Sequence, residues 1–351
     1  MLLDGSDRKT VLLLGAGASR GAISHVLHNQ KRIKPPLNGD FFKVAATYAR
    51  AEGASSAARR RLDRLQRAFK LDLPVKGVPT MEEAFSLLYI AKDFPEIYKT
   101  GPGRREAAGV RKEIDDFLKL LFPILTMLDR SVNGPTGYDR LVSRLSSSDT
   151  IITLNYDTML DSALHRRGWN PANGYALKGT KGKCKWKPVK LPDGTPAIAP
   201  ALLKVHGSAN WFVRGDVSTL SRVFSSKPVR ITQPRENGLA KHVRQVVPPM
   251  FGKLFDHDHW RSLWTNAYKA LCEAEVLVVV GCSLVDTDFH LRAFISRVVR
   301  YRKDAGDKFG QVILVNQTKT RRKWKTVLKG SFAKSDAYNR FDKFLTKGLS
   351  V

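Results

Sequence analysis

Four short segments, far apart in the chain, carry glycine, hydroxyl, amide and imidazole groups that suit the edge of a nucleotide pocket. Three of them are polar or glycine-rich turns that directly follow an apolar run typical of a buried strand. Open α/β sheets bind ligands just beyond the carboxyl ends of their strands, so these turns are expected to meet at one place. The four segments are GAGAS at residues 15–19, TLNYD at 153–157, VHG at 205–207 and GCSLVD at 281–286.

The first segment predicts a phosphate contact. Main-chain amides of Gly15, Ala16 and Gly17 can approach a pyrophosphate closely, at the positive N-terminal end of the helix that follows, and Ser19 adds a hydroxyl donor. Gly21 falls one residue too late for the common dinucleotide fingerprint, and a purely structural turn is the alternative. The chain also shows no acidic residue placed to hold a ribose as dehydrogenases do, which disfavours hydride transfer.

The second and third segments supply the groups best suited to catalysis. Asn155 offers a donor and an acceptor to a ribose or a water, and Asp157 can orient the same ligand, although Asp157 could instead cap the next helix. Thr153 is grouped with the ligand-binding residues. His206 can accept a proton from a hydroxyl or a water at neutral pH, and a hydrogen-bonded core histidine is the alternative.

The last candidates lie near the end of the chain. Gly281 and Ser283 form a small, hydroxyl-bearing turn that can contact phosphate or ribose. Asp286 is predicted to cap the following helix and to contact ligand as well. Asn316 follows another apolar run and is placed to bind an adenosine ribose.

No metal site is predicted. The three cysteines, Cys184, Cys272 and Cys282, lack the close spacing of a zinc knuckle or ribbon. His257 and His259 alternate at the start of a helix and so do not share a face, which argues against a metal there.

The apolar pattern predicts an α/β fold: a Rossmann-like, doubly wound and mostly parallel sheet with a helical insertion. Strands are expected at residues 11–14, 151–154, 202–205, 276–280 and 312–315. Helices are expected at residues 40–50, 55–70, 80–94, 104–129 and 138–145 within the insertion. We divide this single unit into a core of about residues 8–30 and 147–318, an insertion of about 31–146 and a basic C-terminal segment, 319–351. Residues 225–253, rich in proline and weakly periodic, are expected to form a mobile segment near the pocket.

Charge points to a polyanionic partner. The 351 residues include 60 Lys and Arg against 32 Asp and Glu, a formal charge of +28. Lysines cluster around Trp186, and a basic run surrounds Trp324; either indole could stack a base while the cations contact phosphates, or the clusters could be solvated faces. No apolar run approaches the roughly 20 residues of a membrane span, and the start lacks the pattern of a secretory signal, so we expect a cytoplasmic protein without membrane association.

Taken in order, these motifs resemble the sirtuin (SIR2) fold. The resemblance is carried by Gly-Ala-Gly-x-Ser, Thr-x-Asn-Tyr-Asp, His-Gly, Gly-x-Ser-x-x-Asp and a late Val-Asn, and covers about residues 9–318. It is closest to the prokaryotic SIR2-like branch, in which Gly-Ala-Gly-Ala-Ser is followed by a Pro-Pro-Leu segment, here Pro35, Pro36 and Leu37.

The resemblance implies NAD⁺ as substrate, with Asn155 and His206 matching the family's catalytic pair. The chain lacks the two Cys-x-x-Cys pairs that hold zinc in deacylating sirtuins, so the better match is to SIR2-like proteins that consume NAD⁺, often as antiphage effectors. We therefore expect an NAD⁺ hydrolase releasing nicotinamide and ADP-ribose. A sensor that binds NAD⁺ or ADP-ribose without turnover and, less favoured, a protein deacylase are the alternatives. By the same analogy we expect a homo-oligomer that answers to a separately encoded ATPase or nucleic-acid-guided protein, with nucleic acid itself as a further candidate for the basic clusters.

Overall fold

The structure is a computed structural model that describes most of the chain. The described residues are 8–72, 78–94, 96, 107–177, 183–192, 195–214, 229–234, 241–247, 258–285 and 288–348. The strands are β1 (Thr10–Leu14), β2 (Val26–His28), β3 (Lys31–Ile33), β4 (Thr150–Thr153), β5 (Ala201–Lys204), β6 (Gly207–Arg214), β7 (Arg230–Ile231), β8 (His242–Val246), β9 (Val276–Val280), β10 (Phe309–Val315) and β11 (Phe332–Tyr338). The helices are α1 (Ala16–Ala22), α2 (Phe41–Glu52), α3 (Ala57–Asp72), α4 (Met81–Asp93), α5 (Ala107–Ser131), α6 (Gly137–Val142), α7 (Met159–Arg166), α8 (Pro171–Gly174), α9 (Asp258–Glu273), α10 (Phe289–Asp304), α11 (Thr318–Val327) and α12 (Phe341–Lys343).

A six-stranded parallel sheet forms the centre of the molecule, in the order β11-β10-β9-β1-β4-β5. Every residue of β1 and β9 is buried, as expected for strands covered on both faces. After β1 the chain adds β4 and β5 on one side, and it then returns to add β9, β10 and β11 on the other. The strand order therefore reverses at β1, and the crevice above such a reversal is where doubly wound sheets bind ligands. The predicted α/β class is confirmed.

Helices α2 to α6 lie between β1 and β4 in the sequence, in the region predicted to be helical. Their bounds follow the predicted ones closely because apolar residues recur at helical spacing. These residues meet in one core, where the ring centroid of Phe117 lies 5.1 Å from that of Phe41 and 5.0 Å from that of Phe85. A capping box begins α4: the Glu83 amide donates to Thr80 Oγ1 at 3.2 Å, and the Thr80 amide donates to Glu83 Oε2 at 2.8 Å.

Two parts of the chain are more regular than predicted. Where the structure describes residues 225–253, β7 and β8 pair antiparallel with β6, although the sequence pattern predicted no regular element there. Near the end of the chain, β11 pairs in parallel with β10 and forms the edge of the central sheet. The sheet therefore extends past residue 318 into the segment set apart as basic.

Candidate active site

A cavity of about 1020 Å³ opens at the carboxyl ends of β1, β4, β9 and β10. All four segments singled out in the sequence reach it, together with residues from the helical region. Of the predicted site residues, those lining it are Gly15, Ala16, Gly17, Asn155, Asp157, His206, Gly281, Ser283 and Asn316. Ser19 and Thr153 are buried just behind this lining, where both hydrogen-bond to Asn155. Asp286 lies outside the described residues.

The two glycine turns interlock. The Gly15 amide donates to Val280 O at 3.0 Å, and the Gly17 amide donates to Gly281 O at 3.0 Å. A Cβ atom on Gly281, whose φ is +60°, would lie 2.1 Å from Ala18 N, so only glycine allows this approach. The amides of Gly15 and Gly17 therefore join the turns to each other, which corrects the expectation that they face a pyrophosphate. Ala16, the first residue of α1, has an amide with no acceptor within its own helix.

Asn155 is held with a defined polarity. Its Nδ2 donates to Gly15 O at 3.0 Å and to Ser19 Oγ at 3.0 Å, and its main-chain amide donates to Thr153 Oγ1 at 3.1 Å. A carbonyl oxygen can only accept, so the side-chain atom facing Gly15 is the nitrogen. Both of its hydrogens have acceptors in the protein, which leaves Oδ1 as the group that Asn155 can offer to a ligand. Toward a ligand in the cavity, the side chain of Asn155 is therefore a hydrogen-bond acceptor through Oδ1.

Ser19 connects Asn155 to a buried carboxylate. Its hydroxyl donates to Asp157 Oδ2 at 2.7 Å and lies 2.9 Å from the hydroxyl of Tyr138, a residue of α6. Since the Ser19 proton points to Asp157, its oxygen accepts from Asn155 and Tyr138. Burial raises the pKa of Asp157, while the charge of Lys204 and the Ser19 hydroxyl act in the opposite direction. Burial likewise raises the pKa of Tyr138, with the Asp157 charge adding to the effect.

Asp157 also supports the start of the next helix, although the N-cap residue of α7 is Thr158 and not Asp157. Its Oδ1 accepts from the Met159 amide at 3.2 Å, at the first turn of α7. One carboxylate oxygen therefore supports the helix and the other receives the Ser19 hydroxyl. This one side chain therefore supports both the first turn of α7 and the candidate site.

His206 lies at the junction of β5 and β6 and is 5% exposed. Its main-chain oxygen accepts from Val247 N at 2.8 Å, and its ring centroid lies 6.2 Å from that of Trp264. Gly207 follows with φ of +85°, and a Cβ there would lie 2.2 Å from Gln245 O, so the turn after His206 requires glycine. The imidazole is thus a buried group on the same cavity as Asn155.

Two buried carboxylates on the cavity were not found from the sequence. Glu82, 5% exposed, lies in the first turn of α4, where its amide donates to Asn38 Oδ1 at 2.9 Å. Asp288, also 5% exposed, occupies the N-cap position of α10 that was predicted for Asp286, although its side chain makes no capping hydrogen bond. Both carboxylates raise the pKa of Tyr156 after the larger effect of burial. Neither directly follows a strand pattern, so the feature of the sequence that indicates the other site residues is absent at Glu82 and Asp288.

Arg20 is a third residue of the cavity that the sequence pattern did not indicate. Its guanidinium donates to Asp40 Oδ2 at 2.7 Å and to Pro35 O at 2.5 Å, which fastens the Pro-Pro-Leu segment to α1 beside the cavity. Asn316, which also lines the cavity, is 8% exposed, and its main-chain amide donates to Tyr338 O at 3.0 Å. The strand β11 therefore helps to position Asn316.

The two tryptophans of the basic clusters are not available for stacking a base, which corrects that expectation. Trp186 is 5% exposed, with its ring 4.5 Å from His165, and Trp324 is fully buried, with Nε1 donating to Cys282 O at 2.8 Å. The neighbouring cations that the structure describes are largely on the surface: Lys183, Lys185, Lys187, Lys190, Lys319, Arg322, Lys323 and Lys325 are exposed. Lys178 and Lys181 lie outside the described residues.

The described residues include no group of three or more His, Cys, Asp or Glu side chains that could hold a metal ion. In the same part of the chain, no helix has the length and apolar character needed to cross a membrane.

A family model described as SIR2-like domain matches residues 149–329, just over half of the chain, which shows that the chain belongs to this family. Membership associates the chain with NAD-dependent chemistry of the sirtuin kind. A search of curated proteins gave no match.

Among solved structures, one similar chain is Sir2 in complex with the inhibitor EX-527, 2′-O-acetyl-ADP-ribose and a deacetylated p53 peptide. It is 14% identical, with 99% of this chain and 97% of that chain covered at a TM-score of 0.41. Another comes from a study of the mechanism and regulation of Sir2 enzymes, at 13% identity, 99% and 92% coverage and a TM-score of 0.42.

Proposed function

We propose that this protein hydrolyses NAD⁺ to nicotinamide and ADP-ribose in the cavity above β1. The observation that carries the proposal is the convergence of the Asn155 amide oxygen, the His206 imidazole and buried carboxylates on one cavity of about 1020 Å³. That volume lies at the upper end of the range for ligand pockets and suits an extended dinucleotide.

The reaction breaks the bond between ribose C1′ and the pyridinium nitrogen. The bonding electron pair leaves with nicotinamide, which becomes neutral, and positive charge develops at C1′ in the manner of other glycosidic cleavages. A water oxygen then bonds to C1′, and its proton passes to a base or to solvent. The site must stabilise positive charge at C1′ and admit a single water.

Asn155 and His206 have the groups for these two tasks. With its two amide hydrogens donated to Gly15 and Ser19, Asn155 presents Oδ1 and accepts a hydrogen bond from the attacking water or a ribose hydroxyl. His206 binds ribose hydroxyls or accepts the proton of the water. Asp157 supports the role of Asn155 indirectly, because it receives the Ser19 hydroxyl whose oxygen accepts from Asn155.

The buried carboxylates suit the charge of the substrate. The pyridinium ring of NAD⁺ and the ribosyl cation formed from it are both positive, and Glu82 and Asp288 add negative charge to the wall of the cavity. The phosphates then belong toward the glycine turns, where the Ala16 amide and the Ser283 hydroxyl are candidate donors, with Asn316 at the adenosine ribose.

Analysis of products tests the proposal. Purified protein is incubated with NAD⁺, and nicotinamide, ADP-ribose and cyclic ADP-ribose are separated by chromatography, while calorimetry measures NAD⁺ binding in parallel. Equal amounts of nicotinamide and ADP-ribose support hydrolysis. Binding without nicotinamide release contradicts hydrolysis and favours the sensor function, and release that requires an acylated peptide, with formation of O-acyl-ADP-ribose, favours deacylation.

Hydrolysis of NAD⁺ in a cell has a clear consequence, since the dinucleotide is consumed rather than recycled. We propose a cytoplasmic antiphage effector whose activity depletes NAD⁺ and arrests an infected host. Such an enzyme requires restraint, and its assembly into a homo-oligomer and its control by an acidic or nucleic-acid-bound partner are proposed together with it. The charge of +28 supports a polyanionic partner.

A further inference from the structure

Lys204 is a lysine with almost no exposure to solvent. It is the last residue of β5, two positions before His206, and its side chain is 1% exposed. Lysine is rarely enclosed to this extent unless its charge is paired, because removal of the ammonium from water is costly. Its partner is Asp161 of α7, also 1% exposed, whose two carboxylate oxygens lie 3.0 and 3.2 Å from Nζ.

The ion pair is enclosed by further buried polar groups. The Tyr175 hydroxyl donates to Asp161 Oδ1 at 2.5 Å, and Asn210 Nδ2 lies 3.3 Å from that hydroxyl. Burial raises the pKa of Tyr175 well above its ordinary value, and the neighbouring Asp161 charge adds to this effect. Replacement of a buried ion pair by apolar residues of similar volume is often neutral or stabilising. Stability alone therefore gives little reason for a charged pair at this place.

The third contact of Lys204 indicates its role. Nζ donates to the main-chain oxygen of Asp157 at 2.5 Å. This bond links the end of β5 to the turn after β4, and these are the two segments that carry His206 and Asn155. A second bond, from the Ala209 amide to Tyr156 O at 2.8 Å, joins the same turn to β6.

We propose that Lys204 is a positioning residue that sets the distance between Asn155 and His206. Asp161 orients the ammonium, and the ammonium holds the Asp157 carbonyl, so the turn bearing Asn155 cannot move independently of the strand end bearing His206. Displacement of a reacting group by about 1 Å costs as much as 100-fold in rate, so a fixed spacing has a direct catalytic effect. This inference rests on the proposed NAD⁺ hydrolysis for its kinetic consequence but not for its structural one.

The experiment compares two variants that differ only at Lys204. Asp161→Asn keeps an acceptor for Tyr175 and leaves the Lys204 nitrogen with hydrogens to donate to Asp157. It is therefore the reference variant that retains this donor, although Asp161 no longer orients the ammonium. Lys204→Met with Asp161→Asn removes that donor without leaving an unpaired buried charge, which Lys204→Met alone would do. Relative to Asp161→Asn, the double variant should lose about 10- to 100-fold in kcat for nicotinamide release, with little change in KM.

Hydrogen exchange supplies a measurement that does not depend on turnover. Amides of residues 154–158 should exchange faster in the double variant than in Asp161→Asn, while amides of β9 exchange equally in both. An unchanged kcat, or a lower kcat without faster exchange in this turn, overturns the positioning role. If the wild type releases no nicotinamide, the proposed function fails. The exchange difference then decides this inference alone: its presence supports the link, and its absence overturns it.

Discussion

The main-chain amide of Gly17 donates to the main-chain oxygen of Gly281 across 3.0 Å, so the turn after the first strand and the turn after the ninth form one joined unit. These segments are more than 260 residues apart in the chain. Their contact depends on glycine at both positions, because a Cβ on Gly17 would lie 2.7 Å from the Gly281 Cα. Close packing of these two backbone turns therefore forms this part of the candidate site.

Substitution of Gly281 should abolish this contact. Gly281→Ala places a Cβ 2.1 Å from Ala18 N at a φ of +60°, and it should lower the free energy of unfolding by about 3 kcal/mol or more and remove NAD⁺ binding. Gly306→Ala is the matched control, because Gly306 has a similar φ of +68° in open space and should cost only about 1 kcal/mol. Denaturant unfolding and calorimetry measure both effects. Equal losses in the two variants would show that φ alone, rather than packing of the turns, sets the cost.

The ionisation of Asp157 should appear in the pH dependence of stability. Burial raises the pKa of this carboxyl above its ordinary value of 3.8, so the folded state binds its proton more tightly than the unfolded state. As pH rises through the window from 3.8 to the raised value, stability from this group is lost, and above the window the loss is constant. The quantity to compare is the free energy of unfolding of the wild type minus that of Asp157→Asn. This difference should be smaller at pH 7 than at pH 3.5.

Asp139 provides a control of opposite sign. Burial alone would raise its pKa, but hydrogen bonds from Thr136 and Arg166 bring it below 3.8. The wild type should therefore gain stability relative to Asp139→Asn above that value and lose the gain as pH falls. Urea titrations at several pH values measure both differences, and a parallel pH response of the two pairs would contradict the assigned environment of Asp157.

Glu82 should make the cavity selective for the oxidised dinucleotide. Its carboxylate attracts the pyridinium of NAD⁺ but not the neutral ring of NADH, and a charge pair at short range near a protein surface contributes a few kcal/mol at most. Glu82→Gln should narrow the ratio of NAD⁺ to NADH affinity by about tenfold. Glu83→Gln, an exposed neighbour in the same turn, should leave the ratio unchanged. Titration calorimetry with both dinucleotides gives the ratio, and an equal ratio in wild type and Glu82→Gln rejects the charge effect.

The exposed lysines near residue 186 should contribute to binding of a polyanion. Reversal of Lys183, Lys185 and Lys187 to Glu should weaken binding of nucleic acid or an acidic partner. For nucleic acid, each lost phosphate contact should reduce the steepness of log affinity plotted against log salt concentration by about 0.9. Reversal of the exposed Lys303, Lys308 and Lys329 makes the same charge change elsewhere. Fluorescence anisotropy with a labelled oligonucleotide over a range of salt separates the two. Identical curves for both triple variants would leave the first cluster as a solvated face.

The sequence predicted the parts of this molecule that follow from local pattern. The runs in β1 and β9 are uninterrupted and apolar, so their burial could be predicted, and the apolar spacing over residues 80–94 indicated α4. The polar groups after those strands were also identifiable, because strand ends meet at one edge of a parallel sheet. What could not be predicted depends on contacts between distant residues. Glu82 and Tyr138 reach the site from the helical region, and Lys204 was read as part of an apolar strand although its side chain forms a buried ion pair.

Two errors have the same origin. A tryptophan among lysines resembles a base-stacking site, but the Trp324 side chain is fully buried and its Nε1 donates to Cys282 O. Glycine amides at a strand end look free for phosphate, but those of Gly15 and Gly17 bond to the ninth strand and its turn. In both cases, tertiary packing takes up the group that the local pattern left available.

The most direct test of the central claim is single-turnover release of nicotinamide by Asn155→Ala and His206→Ala, with ADP-ribose affinity measured on the same preparations. Each variant should release nicotinamide at least about 100-fold more slowly than the wild type while still binding ADP-ribose. Asn173→Ala and His25→Ala, which remove the same side chains outside the cavity, should match the wild type. Wild-type rates of nicotinamide release in both Asn155→Ala and His206→Ala would contradict the assignment of this cavity as the site of NAD⁺ cleavage.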